Sequence, residues 1–117
     1  MDISFSLDEF GRVVCDVAAE GEQAIATSSD GAAAARGLLG ALEAARDEGY
    51  GECVWHEGNG EYWWILRRDG DDLTCVLLWS RGTLTGWQHL LRADAPFEAF
   101  ATSIQQGLAR LPFSAAV

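Results

Sequence analysis

The chain has 117 residues, 49% of them hydrophobic and 22% charged, which is the composition of a single globular domain and not of a disordered segment. Its 18 acidic residues, eight arginines and complete lack of lysine give a formal net charge of −10. A surface this acidic repels phosphate backbones and anionic lipids, which argues against nucleic-acid and membrane binding. The charge favours a basic partner, or it serves only to keep the protein soluble.

Residues 1–4 have neither the basic nor the apolar region of a secretory signal, and no stretch reaches the apolar length of a membrane span. The cysteines Cys15, Cys53 and Cys75 are odd in number and lack the spacing of a disulfide framework, which suits a reducing compartment. We therefore expect a cytoplasmic protein.

The first half of the chain predicts two strands and a helix. Alternating apolar residues indicate strands over residues 3–7 and 13–17, and a weaker strand pattern follows at 23–27. Ser28-Ser29-Asp30 offers N-cap residues for a helix over about residues 30–47, and Gly49 lies where a C-terminal glycine is expected. Gly37 and Gly40 inside this helix would allow it to approach a sheet closely.

Four further strands are predicted over about residues 52–57, 61–68, 73–80 and 83–91. Asn59-Gly60 is typical of a two-residue hairpin loop, which would pair Trp55 with Trp64 and Glu52 with Arg67. The next turn, at residues 69–72, suits a loop of two or four residues, and both lengths give the same assignment of side chains to faces.

This strand pattern separates two faces of different character. The first is apolar and predicts a core: Trp55, Tyr62, Trp64, Leu66, Leu73, Leu77 and Trp79. The second mixes aromatic and polar groups: His56, Trp63, Thr74, Val76, Thr85, Trp87 and His89. In this register His89 is expected opposite Thr74. A mixed face of this kind is typical of a surface that contacts a partner.

A final helix is predicted to begin at Asp94-Ala95-Pro96, because apolar residues repeat at helical spacing beyond it. The predicted fold is therefore α+β, in the order β-β-α-β-β-β-β-α, with a mostly antiparallel sheet and two helices packed on one face. It forms a single domain over residues 1–117. Two helices do not cover both faces of such a sheet, so the mixed face is curled over itself, paired with a second copy or open to a ligand.

No motif indicates a reaction. Cys53-x-x-His56, with Cys75 and His89 downstream, has the residue types of a metal site, but an odd separation in a strand directs Cys53 and His56 to opposite faces. A Cys75–His89 nucleophile pair is excluded because these two side chains are also expected on opposite faces of the sheet. We expect no metal, no cofactor and no catalytic residue.

The order of elements resembles that of small acidic bacterial domains of unassigned function. The resemblance is carried by Ser28-Ser29-Asp30, by Tyr-Trp-Trp-Ile-Leu-Arg-Arg at 62–68 and by Phe-Glu-Ala-Phe-Ala at 97–101. Some domains of this size and charge are immunity proteins, so the resemblance implies an inhibitor of a basic toxin as one role. Acidic secretion chaperones are also similar in size and often homodimeric, although they usually begin with a helix and this chain begins with strands.

The sequence thus predicts a non-enzymatic domain that binds a protein, either a basic partner or a second copy, through the mixed face. The candidate binding residues are Trp63, Trp87, His56, His89, Thr74, Thr85 and Arg67. Two alternatives to this function remain open. One is a small-ligand-binding or enzymatic domain with a pocket of tryptophan and histidine, and the other is a homodimeric protein like a secretion chaperone.

Overall fold

A computed structural model describes residues 1–82 and 86–112 of the chain. The elements follow in the order β1 (Asp2–Leu7), β2 (Val13–Ala19), β3 (Glu22–Ser28), α1 (Gly31–Glu48), β4 (Tyr50–Glu57), β5 (Gly60–Asp69), β6 (Asp72–Ser80), β7 (Gln88–Pro96) and α2 (Phe97–Ala109). This order confirms the predicted α+β class. The weak strand pattern at residues 23–27 forms a strand of its own, β3.

The strands form two antiparallel sheets, β1-β2-β3 and β4-β5-β6-β7, in which each strand pairs with its neighbour in sequence. Two polar contacts join the first sheet to β4, one from the end of β3 and one from Arg12, the residue before β2. The Ser28 hydroxyl donates to the carbonyl of His56 at 3.2 Å, and a guanidinium nitrogen of Arg12 lies 3.5 Å from the Glu57 carboxylate. Apolar residues from both sheets and both helices belong to one core.

Helix α1 begins and ends at the predicted positions because both caps form. The Asp30 carboxylate accepts a hydrogen bond from the backbone N–H of Ala33 at 3.1 Å. Gly49 adopts the left-handed conformation, with φ 85°, and its N–H donates to the carbonyl of Ala45 at 3.0 Å. These contacts satisfy backbone groups that would otherwise remain unpaired at the ends of the helix.

Helix α1 packs closely on β4 through one glycine in the strand. A methyl carbon built at Gly51 would lie 1.9 Å from the carbonyl oxygen of Ala41, so only glycine permits the observed distance. The Trp55 indole N–H donates to the carbonyl of Ala34 at 3.1 Å and fixes the other end of the contact. Of the two helix glycines expected to bring helix and sheet together, only Gly37 faces the strand, opposite Cys53.

The predicted core face of the second sheet is confirmed. Trp55, Trp64, Leu66, Leu73 and Leu77 are buried, with at most 1% of their surfaces exposed.

The aromatic residues of this face make further contacts. Tyr62 and Trp79 are half-buried and stack on each other with ring centroids 4.5 Å apart. Phe97, the first residue of α2, is buried, and the guanidinium groups of Arg46 and Arg68 lie 4.9 and 4.4 Å from its ring.

No helix in the described ranges is both long and apolar enough to cross a membrane.

In the hairpin between β4 and β5, the pairing of the strands is shifted by two residues from the prediction. Its loop is Gly58-Asn59 and not Asn59-Gly60, so Trp55 pairs with Tyr62, and Glu52 does not pair with Arg67. Gly58 has φ 55°, which suits the first loop position of a type II′ turn. A shift of two residues keeps every side chain on its predicted face.

Strand β7 was predicted five residues too early. The strand predicted over 83–91 spans Gln88–Pro96 instead, residues 83–85 lie outside the described residues, and a bulge interrupts the pairing of β7 with β6. His89 consequently lies opposite Leu78, and Thr74 lies opposite Asp94. The helix that was expected to open at residues 94–96 begins at Phe97, directly after the strand.

Candidate functional site

The candidate site is the outer face of the four-stranded sheet, which is directed away from both helices. We define it by strand pairing, and for Trp87 by its contact with Trp63, as the side chains of Tyr50, Glu52, Val54, His56, Glu61, Trp63, Ile65, Arg67, Asp69, Asp72, Thr74, Val76, Leu78, Trp87, His89, Arg92 and Asp94. The intervening residues of the same strands contain the core side chains. Helix α1 packs on β4 and β5 from the core side, and α2 packs on β1, β6 and β7.

The centre of the outer face is apolar and partly open to solvent. We call Val54, Trp63, Ile65, Val76 and Leu78 the apolar centre. Val54 is 39% exposed, and the other four side chains are half-buried by their neighbours within the sheet. In a monomeric protein a contiguous apolar patch on a sheet face is unusual unless it contacts something.

Trp87 extends the apolar centre at one edge of the sheet. It is 44% exposed, and its ring packs against that of Trp63 with centroids 5.1 Å apart and planes at 57°. The Trp63 indole N–H is buried and has no hydrogen-bond partner within residues 1–82 and 86–112. The two tryptophans therefore form a pair in which one ring is accessible to a partner and the other supports it.

Polar groups border the apolar centre at both ends of the strands. At one end, Nδ1 of His56 lies 3.6 Å from the Glu61 carboxylate, and both side chains are well exposed. At the other end the Thr74 hydroxyl donates to Asp94 at 2.6 Å. Beside it the Tyr50 hydroxyl donates to the Glu52 carboxylate, and this hydrogen bond raises the pKa of Tyr50.

A depression of about 380 Å³ opens on the outer face between Tyr50, Arg67, Thr74 and Arg92, with Ile65 and Val76 as its apolar floor. In the described part of the chain neither Arg67 nor Arg92 has a carboxylate within 4.0 Å. Two guanidinium groups are thus available to a carboxylate from outside the chain. They lie beside apolar surface, where an ion pair is less screened by water than at a fully exposed site.

The predicted binding residues divide into three groups. Trp63 and Trp87 are in contact, and Arg67 pairs directly with Thr74 at the far end of the strands. His56 and His89 are separated, because they lie on β4 and β7, the two edge strands, about three strand spacings of 4.8 Å apart. The prediction for Thr85 lies outside the described residues.

Arg92 and Glu61 were missed among the candidate residues. Arg92 was overlooked because β7 was placed too early, although Leu91 and Ala93 alternate with Arg92 and Asp94 in a strand pattern that could have indicated it. With the predicted loop at Asn59-Gly60, Glu61 would directly follow the loop, whereas the observed loop places it one pair further inside, opposite His56.

The thiols lie on the core side. Cys53 and Cys75 are separated by β5, and burial raises the pKa of each to about 12, which disfavours the nucleophilic thiolate. His56 is on the opposite face from Cys53, as the odd spacing predicted. Within the described ranges no three His, Cys, Asp or Glu side chains are grouped as metal ligands.

The outer face carries both charge signs around its apolar centre. It has Arg67 and Arg92 against Glu52, Glu61, Asp69, Asp72 and Asp94, a balance of −3 with neutral histidines. The net charge of the chain is −10, so the remainder carries −7. Most of the negative charge therefore lies on surfaces other than the outer face.

Comparison of the chain with protein-family models, with curated proteins and with solved structures finds no match. The function must therefore be inferred from the chemistry of the outer face.

Proposed function

We propose that this protein is a non-enzymatic interaction domain that binds another polypeptide through the outer face of the second sheet. The observation that carries the proposal is the apolar centre on a sheet face that neither helix covers. Covering these side chains removes apolar surface from water, at about 25 cal/mol per Å². A polar border of both charge signs would then fix the orientation of the bound chain.

A polypeptide suits this surface better than a small substrate does. The outer face is broad, and its two histidines lie on opposite edge strands, too far apart to act together on one small molecule. The accessible aromatic groups, Trp87 and Tyr50, belong to the residue types that anchor protein interfaces. The alternative of an enzymatic pocket built from Trp63, His56, Trp87 and His89 therefore has less support.

The acidic remainder of the surface has a separate role in this proposal. Its charge of −7 would steer a basic partner toward the molecule and accelerate association, while the apolar centre and its polar border would provide the contact. An immunity-type inhibitor of a basic protein would use both surfaces, and its association rate would fall as salt is added. A cytoplasmic location belongs to the same proposal, since three free thiols suit a reducing compartment.

Two matched substitutions test the use of the outer face. Val54→Arg places a charge in the apolar centre, whereas Ile25→Arg makes the same change on β3, in the other sheet, where Ile25 is 50% exposed. We expect both variants to fold, with thermal midpoints close to that of the parent. Chemical cross-linking of the tagged protein in cells should yield polypeptide adducts with the parent and with Ile25→Arg, and these should be lost with Val54→Arg. Equal adducts from both variants would refute the proposal.

A double substitution, Trp63→Ala with Trp87→Ala, examines the aromatic pair. The adducts should again be lost while the circular dichroism of the folded state is retained. If the double variant unfolds instead, the two rings serve the stability of the sheet and not its binding.

A further inference from the structure

We propose that the polypeptide bound on the outer face is a second copy of this chain, related by a two-fold axis that lies between the two sheets and crosses their strands. This inference rests on the proposed function and specifies its partner. It follows from two properties of the outer face: its size and the positions of its charged groups along β5.

The size of the face is close to that of the smaller stable protein interfaces. Four strands at about 4.8 Å spacing and nine residues at about 3.3 Å rise give a footprint of roughly 19 by 30 Å. That is a flat area of about 570 Å², and the uneven surface of the side chains adds to it. Stable interfaces bury about 800 Å² on each partner. Two such faces also pack well in general, at a separation of about 10 Å with strands within about 30° of each other.

The order of residues along β5 makes the face complementary to itself. The outer side chains of this strand are Glu61, Trp63, Ile65 and Arg67, in that sequence. A two-fold axis that crosses the strand above residue 64 brings each copy's Trp63 against Ile65 of the second copy. The same operation brings Glu61 against Arg67 of the second copy, twice in each dimer.

These two charged groups have no strong partner inside their own chain. Arg67 has no carboxylate within 4.0 Å in the described ranges, and the nearest basic group to Glu61 is His56, at 3.6 Å. An axis that runs along the strands would instead oppose Glu52 to Arg92. The Glu52 carboxylate already accepts the hydrogen bond of Tyr50, so the crossing axis is favoured because it pairs Arg67 with a carboxylate that has no such hydrogen bond.

Charge reversal provides the experiment, with mass measured by light scattering during size-exclusion chromatography. The parent chain, of 12.6 kDa, should elute as a dimer of twice that mass. Arg67→Glu opposes Glu61 to a second carboxylate and Glu61→Arg opposes Arg67 to a second guanidinium, and each should weaken dimerisation roughly 100-fold. Arg36→Glu on the exposed side of α1 makes the same change in net charge as Arg67→Glu and should remain dimeric.

Mixing the two reversed variants gives the decisive result. Arg67→Glu and Glu61→Arg restore both ion pairs when they meet, so an equimolar mixture should form a heterodimer although each variant alone is monomeric. The chain that carries both substitutions should dimerise with itself. Dimers that persist in both single variants would overturn this arrangement.

A parent protein that remains monomeric at about 100 μM, some hundred times the dissociation constant of a micromolar dimer, would overturn self-association itself. The proposed function would still be tested by the comparison of Val54→Arg with Ile25→Arg, because that experiment detects any polypeptide bound on the face. The two failures are therefore distinguishable.

Discussion

The contact between α1 and β4 predicts that Gly51→Ala is severely destabilising. The added methyl carbon would lie 1.9 Å from the Ala41 carbonyl oxygen and 2.8 Å from its carbonyl carbon. Normal contact is about 3.5 Å, so the helix must move by about 1.5 Å. The obstacle is backbone, and no change of rotamer can relieve it.

The expected loss in the free energy of unfolding is about 3 kcal/mol. Overpacking of this kind costs about 1–3 kcal/mol or more, and displacing the helix also disturbs the Trp55 hydrogen bond to Ala34. The lower entropy of alanine in the unfolded chain returns only about 0.4–1 kcal/mol. A loss of about 3 kcal/mol is a large share of the 5–15 kcal/mol that stabilises a typical domain.

Urea unfolding followed by tryptophan fluorescence measures this loss directly. With a slope of about 1–3 kcal/mol per M for a small domain, the midpoint should fall by roughly 1–3 M. Gly40→Ala is the matched control, because Gly40 is in α1 and has no atom within 4 Å of the position of a methyl group. That variant should gain about 0.5–1 kcal/mol from helix propensity. If Gly51→Ala shifts the midpoint no more than Gly40→Ala does, the close helix–strand contact is refuted.

Two further predictions concern the ends of α1 and the buried thiols. Asp30→Ala removes the acceptor for the Ala33 N–H and should lower the free energy of unfolding by about 1 kcal/mol. Asp30→Asn keeps an acceptor at this position and should lower it much less. Equal losses for the two variants in urea titrations would contradict the cap. Burial raises the pKa of Cys75 from 9.0 to about 12, so its contribution to stability is complete below pH 9 and declines as the pH rises toward 12. In urea titrations between pH 8 and 10.5, the free energy of unfolding should therefore fall by up to about 1.4 kcal/mol per pH unit because of this thiol. The Cys75→Ala variant should show a smaller fall over the same range. Equal falls in the parent and the variant would exclude the thiol as the cause.

Local signals in the sequence predicted the helix bounds and the separation of the two faces. The caps at Asp30 and Gly49 depend on side-chain and backbone chemistry within a few residues, so α1 was predicted nearly residue by residue. The core face followed from alternation alone, because Trp55, Trp64 and Leu66 keep their face under any even shift of register.

Features that depend on competition between turns, or on tertiary contact, could not be predicted in this way. Gly58, Asn59 and Gly60 all suit a tight loop, and their sequence does not say which two form it. The close approach of Ala41 to Gly51 depends on how a helix rests on a sheet, so the glycine in β4 gave no signal of its own. For the outer face, the sequence indicated its mixed character but not its full membership, since Arg92 required the correct position of β7.

The position of the β4–β5 loop, one residue earlier than predicted, bears on how this chain can vary in length. An additional residue at Gly58-Asn59 would give a three-residue loop and leave both faces intact, because β5 is held by β6 and β4 by α1. A single residue inserted inside β5, in contrast, would direct the side chains on one side of it to the opposite face. We expect homologous chains to vary in length at this tip and not within the strand, and designed tags to be accepted at the same position.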